Sequence, residues 1–573
     1  MEYIVKDSKS AYKILIPKSA DEKLIFAAKE CRRFIRRASG ASLGITVKPS
    51  GRYISISQNG AGGDGYSVKT EGKNIYVCGQ SAHGAVYGTY ALLKKLIGLE
   101  FYTPKAFEFN KGDVPLPGMN FSVQPDIPVR ASGIAPCHSE ERGNGLLPGF
   151  LRMGLRGMAE GWGIMGHTYF LILPPEKYKD EHPEWYSSGD GGVNLCLSDQ
   201  NMRREFTENL IEFIERHKDV EIFMIGQQDN NSRCTCEKCQ RYIESAGGYY
   251  SALMAEFTTN VVKEINRHFE KTDPARKLRF VMFAYQLSTL PPVKRADGKF
   301  LSLLKEKLPH NLSVMLAPLA VRGEISYFDP ENRISFDTRY ISEKSVPLTD
   351  VIEGWRAVCD KLFFWAYDID NVNNFIPFNS FDSIAENYRG YKNIGVEYLF
   401  EEGAYIRYVP NFNALRLYLV SVLMWNCNAD TEATYDKFFN GYYGAAAVQM
   451  REYFEYLQQH LRKITRESGR YMFYIRFDDF KDLGDKQYWP KDVVEKAYNL
   501  FRMAYSAAKG KYKNRVREDG APVFYLYLSL DYPLKDKEKA FMRTSLHRIS
   551  EKYDLFTPGL EGVPAGMLRK LTS

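Results

Sequence analysis

Between residues 129 and 404, short apolar segments that end in Gly or polar residues alternate with amphipathic helical segments. The apolar segments lack the strict two-residue alternation of a strand with one solvated face, which indicates strands covered on both sides. Such strands, each followed by a helix, predict a parallel sheet, and eight of them over this length predict a (β/α)8 TIM barrel, an α/β fold. The predicted strands are Val129–Gly133, Leu155–Ala159, Val193–Leu197, Ile222–Gly226, Leu278–Ala284, Leu312–Ala317, Lys361–Ala366 and Val396–Phe400.

The regions on either side of the predicted barrel follow other patterns. Residues 1–102 combine strand-like segments, Gly-rich turns and two helical segments, which predicts a small N-terminal α/β domain. Its second helix has Ser81 as a predicted N-cap and Gly98 as its stop. Residues 103–128 contain five prolines and no periodicity, so we predict a linker. In residues 405–573 the apolar residues recur mostly at helical spacing, which predicts a C-terminal helical domain.

Composition narrows the class of function. The formal charge of +7 is small for 573 residues and is scattered along the chain, which gives nucleic-acid binding little support. No stretch approaches the roughly 20 apolar residues that span a bilayer. Aromatic residues make up 14% of the chain, 39 of them Tyr. Aromatic faces pack on pyranose rings in sugar-binding clefts, although large cores also use many such residues.

The active site of a TIM barrel lies at the carboxyl ends of its strands. Acidic side chains at these ends make Asp229, Glu401 and Glu402 the candidate catalytic residues. Glycosidic cleavage needs such groups, because one carboxylic acid protonates the leaving oxygen while another stabilises the cationic centre. Aromatic and polar residues near strand ends are the candidate substrate-binding residues; they are Trp162, His167, Asn230, Tyr285, Trp365, Tyr367 and Asp368. The alternative for any one acidic residue is a helix N-cap or a surface charge.

Glu401 and Glu402 are the best-defined pair among these candidates. They follow the apolar run Tyr398–Phe400, and adjacent residues on a strand point to opposite faces. Only one of them can therefore face the mouth of the barrel, and the sequence leaves open which one. Asp229 is the best partner, because the fourth strand carries it to the end of the sheet.

A cluster of three cysteines follows Asp229 closely. Cys234, Cys236 and Cys239 have C-x-C-x2-C spacing, which can bind zinc as thiolates with a fourth ligand from elsewhere in the chain. A disulfide between two of them is the alternative in an exported protein. In either case we predict that the cluster is structural and braces the loop that carries Asp229.

Several motifs resemble the DUF4838 family. They are Gly166-His167-Thr168, Pro174-Pro175-Glu176-Lys177-Tyr178, His182-Pro183-Glu184-Trp185, Cys196-Leu197-Ser198, Gln228-Asp229-Asn230 with the cysteine cluster, Glu401-Glu402-Gly403 and Tyr442-Tyr443-Gly444-Ala445. That family is similar to glycoside hydrolase family 163, whose members are endo-β-N-acetylglucosaminidases acting on N-glycans. The N-terminal domain resembles the one that precedes the barrel in β-hexosaminidases and α-glucuronidases.

The resemblance implies a retaining mechanism in which the 2-acetamido oxygen of the substrate attacks the anomeric carbon. One carboxylate would polarise the acetamide and another would act as general acid and base, with Asp229 in one role and Glu401 or Glu402 in the other. Better-known enzymes of this type have two adjacent acids at the fourth strand, whereas here Asn230 follows Asp229. The acidic pair must therefore bridge two strands.

Two other functions fit the same features. An α-glucuronidase or another exo-glycosidase would need basic residues for a uronate, with Arg322 and Arg356 as candidates. A non-catalytic glycan-binding protein would keep the aromatic residues and tolerate loss of the acids. In all cases the expected partner is a glycan or glycoprotein, and no cofactor is expected. We also expect an extracytoplasmic location, periplasmic or at the cell surface, with a signal peptide absent from this chain.

Overall fold

The three-dimensional description is a computed structural model. It describes residues 2–134, 147–187, 193–319, 321–335, 345–370, 373–403, 410–468, 484–559 and 562–573.

The N-terminal domain is a six-stranded mixed sheet with two helices packed against it. The second helix is capped as predicted, because the Ser81 side chain accepts a hydrogen bond from Gly84 N and Gly98 ends the helix at φ 65°. The strands run in the order β10-β5-β6-β4-β2-β3, and two-stranded pairs β1-β9 and β7-β8 complete the domain. The elements are β1 Tyr3–Val5, β2 Tyr12–Leu15, α1 Glu22–Ser39, β3 Gly44–Thr46, β4 Arg52–Gln58, β5 Tyr66–Glu71, β6 Asn74–Gly79, α2 Ala82–Ile97, β7 Glu100–Phe101, β8 Phe107–Glu108, β9 Val114–Pro115 and β10 Asn120–Val123.

The segment predicted as a linker, residues 103–128, contributes to this domain. Strand β10 pairs antiparallel with β5, with Phe121 opposite Val68, and becomes the edge of the sheet. The prolines of this segment lie outside β10. They interrupt the periodic pattern on either side of it, which is why the short strand is not evident from the sequence.

The middle of the chain forms a parallel eight-stranded sheet that curls into a TIM-barrel-like fold. The strand order is β12-β11-β22-β21-β18-β15-β14-β13, and every neighbouring pair is parallel. The two edge strands are consecutive in the chain and only four residues apart, which brings the edges of the sheet together. The strands are β11 Val129–Ser132, β12 Arg156–Gly157, β13 Trp162–Ile164, β14 Ile222–Ile225, β15 Arg279–Ala284, β18 Leu312–Leu316, β21 Leu362–Tyr367 and β22 Tyr398–Glu402.

Seven of the eight predicted strands overlap strands of this sheet, and the third prediction is wrong. Residues Val193–Leu197 form no strand and make only a single bridge, between Leu195 and Tyr186. The third strand is β13, which follows β12 after a turn instead of a helix. Gly161 precedes β13 and Gly163 interrupts it, so the sequence shows no apolar run there. The residue Gly163 packs without a side chain against Phe223, whose ring a Cβ would meet at 2.2 Å.

Helices and two hairpins surround the barrel. The hairpins are β16 Val293–Ala296 with β17 Lys299–Ser302, and β19 Arg333–Ser335 with β20 Ser345–Pro347. The helices are α3 Pro148–Arg152, α4 Tyr169–Ile172, α5 Pro175–Tyr178, α6 Gln200–Arg216, α7 Glu237–Ser245, α8 Tyr250–Thr272, α9 Leu348–Val358 and α10 Phe381–Asn393. Short 3-10 turns occur at Pro183–Trp185 and Gln286–Ser288.

The C-terminal region is helical in the part that the structure describes, as predicted. A buried carboxylate joins its helices to the start of α11, because Asp519 accepts hydrogen bonds from Tyr443 Oη at 2.8 Å and Phe412 N at 3.0 Å. The helices are α11 Asn413–Trp425, α12 Thr431–Tyr443, α13 Ala447–Ser468, α14 Lys491–Ala507, α15 Lys511–Asp519, α16 Ala521–Ser529, α17 Asp536–Lys552 and α18 Ala565–Thr572. No helix in the described ranges is both long and apolar enough to cross a membrane.

A buried ion cluster holds the N-terminal domain against the barrel. Asp64 is fully buried and contacts Arg130 Nη2 at 2.7 Å and Arg156 Nη2 at 2.5 Å. These arginines lie on β11 and β12, so one carboxylate of the N-terminal domain forms ion pairs with two barrel strands. Burial alone would raise the pKa of Asp64, but the two guanidinium groups outweigh it and hold that pKa below its usual value.

Candidate active site

The two adjacent glutamates at the end of β22 point to opposite sides of the sheet. Trp365 Nε1 donates a hydrogen bond to Glu402 Oε2 at 2.5 Å, and the Trp365 ring packs on Phe400 at 4.6 Å. On the other side, Tyr388 of helix α10 donates its hydroxyl proton to Glu401 Oε1 at 2.6 Å. Glu402 therefore faces the barrel interior, whereas Glu401 lies between the sheet and the helix layer.

Asp229 lies in the loop that follows β14 and is surrounded by polar groups. Its Oδ1 accepts hydrogen bonds from the Tyr285 hydroxyl at 2.8 Å and from the Gln286 amide at 3.1 Å. The Nε2 atom of His167 is 4.0 Å from Asp229 Oδ2. The Asp229 side chain is 59% exposed, so an arriving substrate can reach this carboxylate.

The orientation of His167 depends on the end of β14. Its Nδ1 lies 2.6 Å from the Gln227 carbonyl oxygen, so a proton on Nδ1 donates there and leaves Nε2 directed to Asp229. The backbone N–H of Thr168 donates to the Gly226 carbonyl at 3.0 Å. A Cβ at Gly226 would lie 2.2 Å from the carbonyl oxygen of Gly166. Glycine at 226 is therefore needed for the close approach that places His167.

The backbone at Gln286 has the unusual φ of 49°. Non-glycine residues seldom adopt this left-handed conformation, and such residues cluster at functional sites. Buried contacts hold the turn, because Gln227 Nε2 donates to the Tyr285 carbonyl at 3.0 Å and Ser288 Oγ donates to Gln227 Oε1 at 2.9 Å. This turn presents the Gln286 amide to Asp229. Gln286 follows Tyr285 at a strand end, and that position is the signal by which it can be found in the sequence.

A row of aromatic rings joins Asp229 to Glu402 across the barrel. The ring centroids of Tyr285 and Phe283 are 5.7 Å apart, and those of Phe283 and Trp365 are 6.0 Å apart. Tyr285 is hydrogen-bonded to Asp229, and Trp365 is hydrogen-bonded to Glu402. Strands β14 and β22 are four places apart in the order of eight, so the two carboxylates come from opposite sides of the barrel. We call this set of five side chains the mouth site.

Two further predicted residues have clear positions near the strand ends. Tyr367 is opposite Glu402 in the register of β21 and β22, so its side chain lies on the same face of the sheet. Asn230 organises the loop instead of facing the mouth site. Its amide donates to the Val193 carbonyl at 3.1 Å, and its Oδ1 accepts from Asn194 Nδ2 at 3.3 Å.

Trp162 lies at the opposite end of the barrel from the mouth site. It is level with Ile222, the first residue of β14, and packs on Tyr398 at 5.2 Å with 6% exposure. Its neighbour Glu160 contacts His83 of the N-terminal domain at 2.7 Å. The sequence groups Trp162 with the strand ends because its segment is assigned to the second strand, whereas the structure makes it the beginning of the third.

Asp368 lies on the helix side of the sheet with Glu401. Both carboxyl groups are buried, with exposures of 2% and 1%. Burial raises the pKa of Asp368 to about 6. Burial and the negative charge of Asp368 raise the pKa of Glu401 well above its usual value. The two groups are therefore a buried acid pair outside the mouth site, and a proton on Glu401 removes the repulsion between them.

This acid pair predicts a pH effect on stability. Because both pKa values are higher in the folded than in the unfolded protein, the pair supports folding fully below about pH 4. For Asp368 this support is lost as the pH rises through about 6. Glu401→Gln mimics the protonated acid, so we expect it to raise the Tm at pH 8 by about 2 °C or more over wild type. The gain should shrink at about pH 4.5, where the wild-type pair retains its protons. Scanning fluorimetry at both pH values measures this, and equal gains would contradict it.

The two arginines considered for uronate binding have carboxylate partners. Arg356 lies on helix α9 outside the barrel and contacts Glu353 at 2.7 Å. Arg322 is in the region after β18 and contacts Glu324 at 2.6 Å. Neither arrangement presents a guanidinium group free of an acidic partner to the mouth site.

Four cysteines come together beside the mouth site. Cys196 joins the three predicted residues Cys234, Cys236 and Cys239, and one sulfur atom from each lies within 4.8 Å of the others. The sequence contains no spacing signal for Cys196, which lies 38 residues before Cys234.

Comparison with known proteins gives one family and several solved structures. The family model described as "Domain of unknown function (DUF4838)" matches residues 150–455. A GH115 4-O-methyl-α-glucuronidase with specificity for decorated arabinogalactans has a TM-score of 0.57 at 12% identity, over 98% of this chain and 79% of the other. A GH138 enzyme that targets pectin rhamnogalacturonan II has a TM-score of 0.49 at 12% identity, over 98% and 97%. CpGH84B has a TM-score of 0.40 at 13% identity, over 98% and 96%. No curated protein matches the sequence.

Proposed function

Since this chain belongs to the DUF4838 family, whose matched region contains Asp229 and Glu402, we propose that it is a glycoside hydrolase that uses these two carboxylates. The observation that carries the proposal is their placement at the carboxyl ends of strands on opposite sides of one barrel, with an aromatic row between them. Two carboxyl groups flanking a sugar ring are what glycosidic cleavage requires. The fold shared with the GH115 enzyme is compatible with this function.

Asp229 is assigned the role of general acid and base. Its exposed position at the rim allows it to reach the glycosidic oxygen of a leaving group that extends into solvent. The Tyr285 hydroxyl and the Gln286 amide hold its Oδ1, which leaves Oδ2 for proton transfer. With the ring proton on Nδ1, His167 Nε2 is an acceptor that lies 4.0 Å from Oδ2, which favours the protonated form of Asp229 that acts as the general acid.

Glu402 is assigned the role of orienting the substrate's acetamide group. It lies deeper in the barrel, at 4% exposure, and accepts a hydrogen bond from Trp365. The Trp365 and Phe283 rings form an apolar surface beside it that suits the acetamide methyl group. Glu402 would accept the acetamide N–H, and the acetamide oxygen would then attack the anomeric carbon as the leaving oxygen takes the Asp229 proton.

The proposed substrate class is N-acetylglucosamine-containing N-glycans, cleaved with retention of configuration. It is supported by the resemblance to family 163 and by the aromatic surface beside Glu402. We further propose an extracytoplasmic location, where such glycans are encountered. An exo-acting α-glucuronidase is less favoured, because Arg322 and Arg356 both contact carboxylates.

A glycan screen with mass-spectrometric identification of products tests the proposed function. The substrates are a glycoprotein with N-glycans on a chitobiose core and an oligosaccharide capped with a uronic acid. Cleavage between the two core N-acetylglucosamine residues supports the proposal. Release of uronic acid alone would establish the glucuronidase, and glycan binding without any product would establish a non-catalytic protein; either result overturns the proposal.

The role of Asp229 can be tested with leaving groups of different acidity. Asp229→Asn is expected to lower kcat/KM on the natural glycan by about 10²- to 10⁴-fold, because the leaving oxygen loses its proton donor. The loss should be much smaller for an aryl glycoside of the released glycan, whose phenolate leaves without protonation. Asn231→Ala, an exposed position in the same loop, is the control and should retain wild-type kinetics. Equal losses on both substrates would contradict the assignment.

A further inference from the structure

The four clustered cysteines have the geometry of a metal site. The Sγ atoms of Cys196 and Cys236 are 3.7 Å apart, and those of Cys196 and Cys239 are 3.8 Å apart. Four thiolates placed tetrahedrally around zinc at about 2.3 Å have sulfur atoms about 3.8 Å from each other. A disulfide would bring two sulfurs to about 2.05 Å, and all four residues are free thiols in the structure. We infer that Cys196, Cys234, Cys236 and Cys239 bind one structural zinc ion.

The surroundings of the four sulfurs suit a negatively charged zinc–thiolate centre. Cys196, Cys234 and Cys239 are buried, and Cys236 is exposed. Cys236 is the N-cap of α7, and Cys239 lies in its first turn, so the positive end of the helix dipole faces the sulfurs. The Ser198 hydroxyl lies 3.0 Å from Cys239 Sγ and can donate to a thiolate. With four protein ligands the ion has no open position for water, which makes the site structural and not catalytic.

The zinc ion would join two segments that hold the Asp229 loop. Cys196 lies in the segment before α6, Cys234 and Cys236 lie between Asp229 and α7, and Cys239 lies in the first turn of α7. The same two segments are linked by Asn194, whose amide donates to the Ser232 carbonyl at 3.2 Å and whose Oδ1 accepts from Gln228 N at 3.3 Å. Zinc therefore fixes the base of the loop and positions Asp229 indirectly. This consequence for activity rests on the proposed function, whereas the metal site does not.

Metal analysis of the purified full-length protein tests the site directly. Without chelators, we expect about one zinc ion per chain by inductively coupled plasma mass spectrometry. Cobalt in place of zinc should show the visible absorption of a tetrahedral Co²⁺–thiolate centre. Cys196→Ser and Cys239→Ser should lose most of the bound zinc. Cys78→Ser, a free thiol on β6 remote from the cluster, is the matched control and should retain it.

Several results would overturn the inference. These are wild-type protein that contains no zinc and takes up none when reduced, stoichiometric iron in place of zinc, a disulfide mapped between cluster cysteines, or full zinc retention in Cys196→Ser. If the serine variants fail to fold, the metal content and the cobalt spectrum of the wild-type protein still decide. Removal of zinc with a chelator is expected to lower the Tm by several degrees. An unchanged Tm would contradict a structural role.

The metal site and the proposed function can fail separately. Stoichiometric zinc in a protein that cleaves no glycan would support the metal site and contradict the proposed glycosidase function. Glycan cleavage by a protein that binds no zinc would support the glycosidase function and contradict the metal site. If both hold, zinc removal should lower kcat on the glycan, and readdition of zinc should restore it.

Discussion

Glu402→Gln is expected to lower kcat/KM for glycan cleavage by about 10²- to 10⁴-fold, whereas Glu401→Gln is expected to stay within about twofold of wild type. The two residues are adjacent, and the substitution is the same at both positions. They differ in the face of β22 on which they lie, because Glu402 contacts Trp365 and Glu401 contacts Tyr388 of helix α10. A glutamine at 402 still accepts the Trp365 N–H but lacks the negative charge that the proposed mechanism needs.

Steady-state kinetics on the glycan identified by the screen measure this difference. Circular dichroism and the Tm of both variants show whether either substitution disturbs the fold. Loss of activity in Glu401→Gln with full activity in Glu402→Gln would mean that the pocket lies on the helix side of the sheet. Wild-type activity in both variants would mean that neither glutamate of β22 takes part in catalysis.

Asp64→Ala is expected to destabilise the protein by about 3–5 kcal/mol, the typical cost of removing one partner from a buried ion pair. The substitution leaves two arginines without their carboxylate at the contact between the N-terminal sheet and the barrel. Arg130 keeps hydrogen bonds to the carbonyl oxygens of Ile127 and Pro128, but Arg156 loses both contacts to Asp64 that the structure shows.

Urea denaturation followed by tryptophan fluorescence measures this loss, together with limited proteolysis of the contact between the domains. Glu71→Gln is the control in the same sheet, because Glu71 forms an exposed ion pair with Lys69. Such pairs contribute about 0–1 kcal/mol, so this variant should unfold close to wild type. If Asp64→Ala is no less stable than Glu71→Gln, the buried cluster does not hold the domains together.

Much of the barrel was predictable because its pattern is local. Strand β14 is an uninterrupted apolar run, and β15 is one after its first residue, Arg279; burial on both faces selects such runs. Tyr285 follows β15 directly and Asp229 comes four residues after the last residue of β14, so the sequence alone places both near the mouth. The third strand is not evident from the sequence because β13 is only three residues long and contains a glycine. The role of Gln286 is not evident either, since it depends on the backbone turn that directs its amide to Asp229.

The sequence alone determined three features. These are the alternation of apolar strands and amphipathic helices that predicts the barrel, the strand ends that carry the acids, and the thiol spacing that permits a metal. Each of these depends on interactions within a few residues: burial, capping and chain direction. Only the tertiary structure distinguished Glu402 from Glu401, brought Cys196 to the other three thiols, and removed Trp162 from the site. Alternation along a strand shows that neighbours oppose each other but not which one points inward. That choice is made when distant strands pair and the sheet curls into a barrel.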